Sequence, residues 1–428
     1  MKLLIKNGRV IDPASQIDET LDILIDKNKI VDIKTKINAP SAKIIDAAKL
    51  VVAPGFIDMH VHLREPGQEH KETIRTGSAA AAKGGFTSIA CMPNTFPVID
   101  NSGTIKYILS EAKKTGIVNI FPIAAITKGQ KGKELSEMAE LLDSGAVAFS
   151  DDGNPVSNSQ VMRSALEYVK QFDGVIINHC ENTDLSENGV MNEGPYSCQL
   201  GLNGIPASSE EVMVARDIIL AEKSGARIHL AHLSTKGSIE LLTAAKAKKL
   251  KVTAEVTPHH LILDDSSLIN YDTNLKVKPP LRDKKDVSSL IKAVKSGLID
   301  VIATDHAPHS PDEKAVEFDI APFGINGLET AVSLLLDRLI NNNTITLQRL
   351  IEMCSTNPAK ILKLKNKGKI CLGADADLTL LDLNKKIQVD VNKFRSKSKN
   401  NPFHDWKLKG SPAITIVGGN IIYSNQSI

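Results

Sequence analysis

The chain has 428 residues, 42% of them hydrophobic, with a formal net charge of +2 and only 4% aromatic side chains. That is enough apolar material for one large core and a smaller domain. It is too little excess charge or aromatic surface for a nucleic-acid groove or an anionic membrane face. No apolar run approaches the roughly 20 residues that span a bilayer. Residues 1–12 mix a short apolar patch with charge and turn residues, unlike a signal peptide. The five cysteines are odd in number and form no Cys-x-x-Cys pair, which suits reduced thiols and predicts a cytoplasmic protein.

Residues 1–52 read as short strands broken by turns, at 3–5, 8–11, 22–25 and 29–33. The C-terminal end has the same character at 377–382, 414–417 and 420–423. The two ends are therefore expected to form one small β-sandwich domain (1–52 and 366–428), with the centre (53–365) inserted between them. The centre alternates strand and helix. Strand candidates fall at 55–63, 87–92, 120–126, 146–150, 175–179, 227–232, 251–256 and 300–304. Between them lie helical patterns. One opens at Ser208 with a capping-box pattern through Glu211 and stops at Gly225, and another follows Gly327. Eight βα units in one compact region imply a TIM (β/α)8 barrel; an open doubly wound sheet is the alternative.

A barrel of this kind builds its active site at the C-terminal ends of its strands. The first strand candidate ends in His60-Val61-His62-Leu63-Arg64. Alternation puts His60 and His62 on one face, and Met59 and Val61 on the other. The second ends in Asn94, the fourth in Asp151 and Asp152, the fifth in His179, the sixth in His232, and the eighth in Asp305-His306-Ala307-Pro308-His309. Any one of these alone reads as well as a core histidine or a turn residue. Together, so many imidazoles and carboxylates at one mouth would be costly to bury without a cation. Four His and two Asp exceed what one tetrahedral Zn²⁺ takes, so two metals sharing a carboxylate are expected. Cys180, next to His179, should face away and pack in the core.

These motifs resemble the amidohydrolase superfamily and, within it, the bacterial class I dihydroorotases. The resemblance rests on the Asp58–Gly67 run, Met92-Pro93-Asn94-Thr95, Phe149-Ser150-Asp151-Asp152-Gly153, Ala231-His232-Leu233-Ser234, Thr304–His309 and Ala321-Pro322-Phe323-Gly324. It covers almost the whole chain. It implies that His60 and His62 bind a first Zn²⁺, His179 and His232 a second, and that Asp152 bridges them. Many relatives use a carboxylated lysine at the bridge, and the fourth strand offers none. The resemblance further implies that Asp305 is a metal ligand and the catalytic acid/base. Arg64, Asn94 and His309 would hold substrate, with His62 beside them and the backbone of Phe323 and Gly324 helping.

The implied reaction is reversible hydrolysis of the cyclic amide of (S)-dihydroorotate to N-carbamoyl-L-aspartate, in pyrimidine synthesis. A homodimer, and association with aspartate transcarbamoylase, come with the resemblance. One departure is Lys278, which stands before Pro279-Pro280-Leu281-Arg282 where such relatives usually carry Asn; it is expected to offer charge to a substrate carboxylate. The long polar segment 310–322 is expected to be a mobile lid. The rival readings are an allantoinase or hydantoinase, and a non-catalytic homologue that partners the transcarbamoylase.

Overall fold

The computed structural model describes residues 2–426. Eight parallel strands follow one another in chain order: Phe56–Val61, Phe86–Cys91, Asn119–Ala124, Ala148–Phe149, Val175–Asn178, Arg227–Leu230, Val252–Val256 and Val301–Ile302. All eight fall within or next to the segments expected from sequence. The ring closes between the first and last. Val61 bridges His306 in the parallel sense, and His62 N–H donates to the His306 carbonyl at 2.8 Å. The buried Asp58 carboxylate also crosses this seam, accepting from Thr304 N–H (3.2 Å) and Thr304 Oγ1 (2.5 Å). The fold is a TIM barrel.

The strands read as near-continuous apolar runs because both faces are covered. Met59, Ala90, Met92, Ile123, Ile177, Val301 and Ala303 fill the inside. A larger outer layer packs strands against helices such as Ile74–Lys83, Ser159–Lys170 and Ser208–Ser224. The strict alternation expected of the first strand fails. A register shift between Asp58 and Val61 puts Met59 in the inner cluster and Val61 in the outer one. Such a bulge re-aims side chains at a barrel rim.

The helix at Ser208–Ser224 ends at Gly225 with φ +67°, as the glycine stop predicts, but its N-cap is Ala207 and no capping box forms. Glu210, in the first turn, faces the barrel: its carboxylate accepts from the N–H groups of Ser234 (3.0 Å) and Thr235 (3.2 Å) and from the Ser234 hydroxyl. The helix after Gly327 runs over Ala331–Leu335 and continues as a π-turn over Leu336–Ile340.

Both chain ends build the β-sandwich domain. Its hydrogen-bonded path runs Asn420–Ser424, Lys407–Val417, Leu378–Gln388, Val51–Pro54, Lys2–Asp12, Ile17–Asp26 and Lys29–Lys34, with Lys43–Asp46 also on Lys2–Asp12. Val51–Pro54 is the joint, antiparallel to Leu378–Leu381 and parallel to Arg9–Val10. Leu3, Ile5, Ile23, Val52, Leu378, Leu380 and Ile414 form its core. Among the described residues no helix is long and apolar enough to cross a membrane.

Candidate active site

The polar strand ends converge in one cavity of about 360 Å³, lined by His62, Arg64, Asn94, Asp152, His179, His232, Lys278, Asp305, His309, Phe323 and Gly324 among others. His60 lies fully buried at its floor. Asp152 is the centre of the cluster. Its Oδ1 lies 3.3 Å from His60 Nε2 and 3.6 Å from both His179 Nδ1 and His232 Nε2, and its Oδ2 lies 3.4 Å from His62 Nε2. Asp305 Oδ1 is 3.1 Å from His62 Nε2 and 3.5 Å from His60 Nε2. Two compact triads result, His60–Asp152–His232 and His60–His62–Asp305. His179 belongs to neither, but its Nδ1 lies 2.9 Å from His232 Nε2. The neighbouring Asp151 turns away, accepting from Ile126 N–H (2.8 Å), Thr127 N–H (3.2 Å) and the Thr127 hydroxyl. Cys180 lies in the outer core layer.

The donor set fits a cation. His60 Nε2 and Asp152 Oδ1 are buried and find no hydrogen-bond partner among the described residues, and buried polar atoms of this kind are rarely left so. The protonation balance points the same way. Burial pushes the His60 and His179 pKa values down, but the carboxylates of Asp152, with Glu255 and Asp305 at His60 and Glu181 at His179, outweigh it. His60 ends well above the ordinary histidine range, and His179 at about 9. For Asp305, burial raises the pKa, yet His60 and His62 bring it down to about 2. Positive charge among these groups is strongly favoured.

Three supporting carboxylates were not among the residues expected from sequence. Glu255, fully buried on the seventh strand, holds His60 Nδ1 at 2.6 Å and His229 Nε2 at 3.1 Å. It thereby presents His60 Nε2 to the mouth, the arrangement by which an outer carboxylate orients a ligating imidazole. Glu181 does the same for His179 Nε2 at 2.9 Å, and it also takes the Lys278 ammonium at 2.6 Å. Glu210 fixes the Ser234–Thr235 turn after the sixth strand. Only the His-x-Glu spacing of His179 and Glu181 offered any sequence hint.

The residues expected to hold substrate line the same cavity. Arg64 is 8% exposed, and its Nε donates to the Pro308 carbonyl at 3.2 Å. Burial pushes its pKa down to about 10, still well above neutrality. The terminal nitrogen Nη2 lies 3.4 Å from His309 Nε2. His309 Nε2 donates to the Phe323 carbonyl at 2.8 Å; burial, then the positive charge of Arg64, lowers its pKa to about 3, so the ring is neutral. Asn94 Oδ1 accepts from His62 Nδ1 at 2.8 Å, so Asn94 orients a histidine as well as lining the pocket. Gly324 gives its N–H to the Lys276 carbonyl at 2.9 Å; the Phe323 N–H meets no partner among the described residues. Arg64, His232 and Asp305 all hold positive φ, at 63°, 32° and 47°, a strained state for residues other than glycine that persists at functional sites.

The segment 310–322 carries a short helix, Pro311–Lys314, and is fastened by two buried lysines. Lys314 Nζ donates to the carbonyls of Thr273 (2.9 Å) and Pro322 (2.7 Å). Lys276 Nζ donates to those of Phe318 (2.8 Å) and Asp319 (2.9 Å).

Residues 48–238 match the family model described as dihydro-orotase-like, and residues 214–423 match one described as amidohydrolase family. The dihydroorotase of Acetivibrio thermocellus is 51% identical over 420 residues, covering 98% of each chain. That of Pelotomaculum thermopropionicum is 52% identical over 429 residues, covering 100% of each. Among solved structures, L-hydantoinase (dihydropyrimidinase) from Arthrobacter aurescens superposes with a TM-score of 0.89 at 25% identity, covering 100% of this chain and 97% of that one. The half-length matches meet across the barrel and the relatives span it end to end: the chain belongs to the dihydroorotase family of amidohydrolases.

Proposed function

We propose that the protein is a class I dihydroorotase, catalysing reversible hydrolysis of (S)-dihydroorotate to N-carbamoyl-L-aspartate in pyrimidine synthesis. The observation that carries this reading is a buried arginine, Arg64, opening into the same small cavity as a His/Asp cluster with orphaned donors. A metal site alone fits any cyclic-amide hydrolase. A buried guanidinium beside it calls for a substrate with a carboxylate.

In this reading His60, His62 and Asp305 would hold one Zn²⁺ and His179 and His232 a second, with Asp152 available to both. The metals supply Lewis-acid polarisation of the amide carbonyl and water activated at neutral pH. Arg64 takes the substrate carboxylate in a two-pronged fork, and the neutral His309, Asn94 and the free Phe323 N–H complete that pocket. Asp305, ionised at neutral pH, removes the proton of the attacking water and returns it to the departing ring nitrogen. Lys278 has one proton on Glu181 and two further donors to offer toward the pocket.

The test is turnover by purified protein together with its metal content. Hydrolysis of dihydroorotate with about two zinc ions per chain is expected. Turnover of hydantoins or allantoin but not dihydroorotate would favour a hydantoinase-type enzyme, and neither zinc nor turnover would leave a non-catalytic homologue. The same reading extends to a cytoplasmic homodimer with aspartate transcarbamoylase as a protein partner. Sedimentation of the protein alone, and mixed with the transcarbamoylase, tests both.

A further inference from the structure

Residues 394–401 connect two strands of the β-sandwich domain, Leu378–Gln388 and Lys407–Val417, yet they run across the rim of the barrel mouth. On one side they tie to the loop after the first barrel strand. Lys397 Nζ donates to the Glu69 carbonyl (2.7 Å) and Ser398 Oγ to the Lys71 carbonyl (2.6 Å). On the other side stands Asn400, 4% exposed. Its Oδ1 accepts from the His309 N–H at 3.0 Å, and its Nδ2 donates to the carbonyls of Ala307 and Gly324, both at 3.0 Å. Those groups are the two ends of the 309–323 segment.

We propose that Asn400 is a positioning residue that sets the spacing between His309 and the Phe323–Gly324 backbone, and with it the width of the pocket for the substrate carboxylate. The proposal rests on the dihydroorotase reading for the identity of that substrate. Its geometry does not. The two ends approach so closely that a Cβ at Gly324, whose φ is +147°, would lie 2.6 Å from the Ala307 carbonyl oxygen. A brace here must accept one N–H and serve two carbonyls at once. A carboxamide does both; aspartate, serine and alanine do not. Asn401, one residue on, makes a useful contrast. Its Nδ2 serves the Asn326 carbonyl (2.5 Å) and Thr330 Oγ1 (3.2 Å), so it anchors the strap without touching the segment ends.

The experiment compares Asn400→Ala, Asn400→Asp and Asn401→Ala in the full-length, metal-loaded protein. Both Asn400 variants should raise the KM for dihydroorotate about tenfold or more with a smaller change in kcat. They should also speed amide hydrogen exchange across residues 305–325 and leave the metal content unchanged. Asn401→Ala should lower Tm without the KM change. Asn400→Asp keeps size and the acceptor, and carries the test if the alanine variant does not fold. Unchanged exchange across 305–325, or an equal KM rise in Asn401→Ala, overturns the proposal. The exchange readout needs no substrate, so a parent protein that fails to turn over dihydroorotate would refute the functional reading while exchange still decides the role of Asn400.

Discussion

Replacing Arg64 by lysine keeps a positive charge in the pocket and removes the fork, so it isolates what geometry contributes. Arg64 has one nitrogen already committed to the Pro308 carbonyl and its outer end beside His309, which leaves the terminal nitrogens for a carboxylate. A lysine offers a point charge that meets one carboxylate oxygen well. Losing one of two hydrogen bonds to a charged group costs about 1.5–3 kcal/mol, or about 10- to 150-fold in kcat/KM. The loss should appear chiefly in KM, because the carboxylate is held alike before and during reaction. Metal content should not change, since Arg64 belongs to neither triad. The assay is steady-state hydrolysis of dihydroorotate, with dihydrouracil, which lacks the carboxylate, as reference. Kinetics within about twofold of the parent, or an equal loss on any dihydrouracil turnover, would refute the reasoning.

Asp305→Asn should lower kcat about 10²- to 10⁴-fold, checked at saturating substrate with metal content measured alongside. Glu255→Gln should weaken metal binding about 10- to 100-fold through the loss of the carboxylate behind His60; a chelator competition reads this directly, and parent-like affinity would remove Glu255 from the site. His309, at about 3 through burial and Arg64, and His260, at about 4 through burial, both sit below the ordinary histidine value of about 6.5. Because their folded pKa values are depressed, the unfolded chain binds more protons between those values, so their contribution to stability is full above about pH 6.5 and falls as pH drops toward 3. The Tm difference, parent minus His309→Gln, should fall as pH drops from 7 to 4. A His309 imidazole that titrates near 6.5 by NMR would contradict the burial argument.

The barrel was legible because its strands are short apolar runs bounded by polar ends, and parallel strands buried on both faces produce that pattern. The candidate ligands were legible because strand ends aim them at one mouth. What escaped was whatever depends on a partner far along the chain. Glu255 reads in sequence as a charge in a strand, and only the fold brings His60 and His229 to it. Glu210 reads in sequence as an ordinary first-turn acid of a helix, and only the fold brings the N–H groups of Ser234 and Thr235 to it. The bulge at Asp58–Val61 defeats simple alternation, since one extra residue in the register reverses a face. Asn400 looks like any polar residue in a loop, and its meaning lies in the two segment ends it spans.

The seam of the barrel lies between the first and last strands, where the eighth strand is only Val301–Ile302 and closure rests on one Val61–His306 bridge and the hydrogen bonds from Thr304 to Asp58. Those are the strands that carry His60 and His62 on one side and Asp305 on the other. A metal held by all three, as proposed above, would span chain positions separated by most of the domain and would act as a clasp on the ring itself. Stripping it should free the ring at this junction first, with hydrogen exchange rising at His62 and around His306 before any other strand pair. On the proposed assignment a metal here would serve topology as well as chemistry, and a chain that misplaced either end strand would lose its barrel and its active site in the same event.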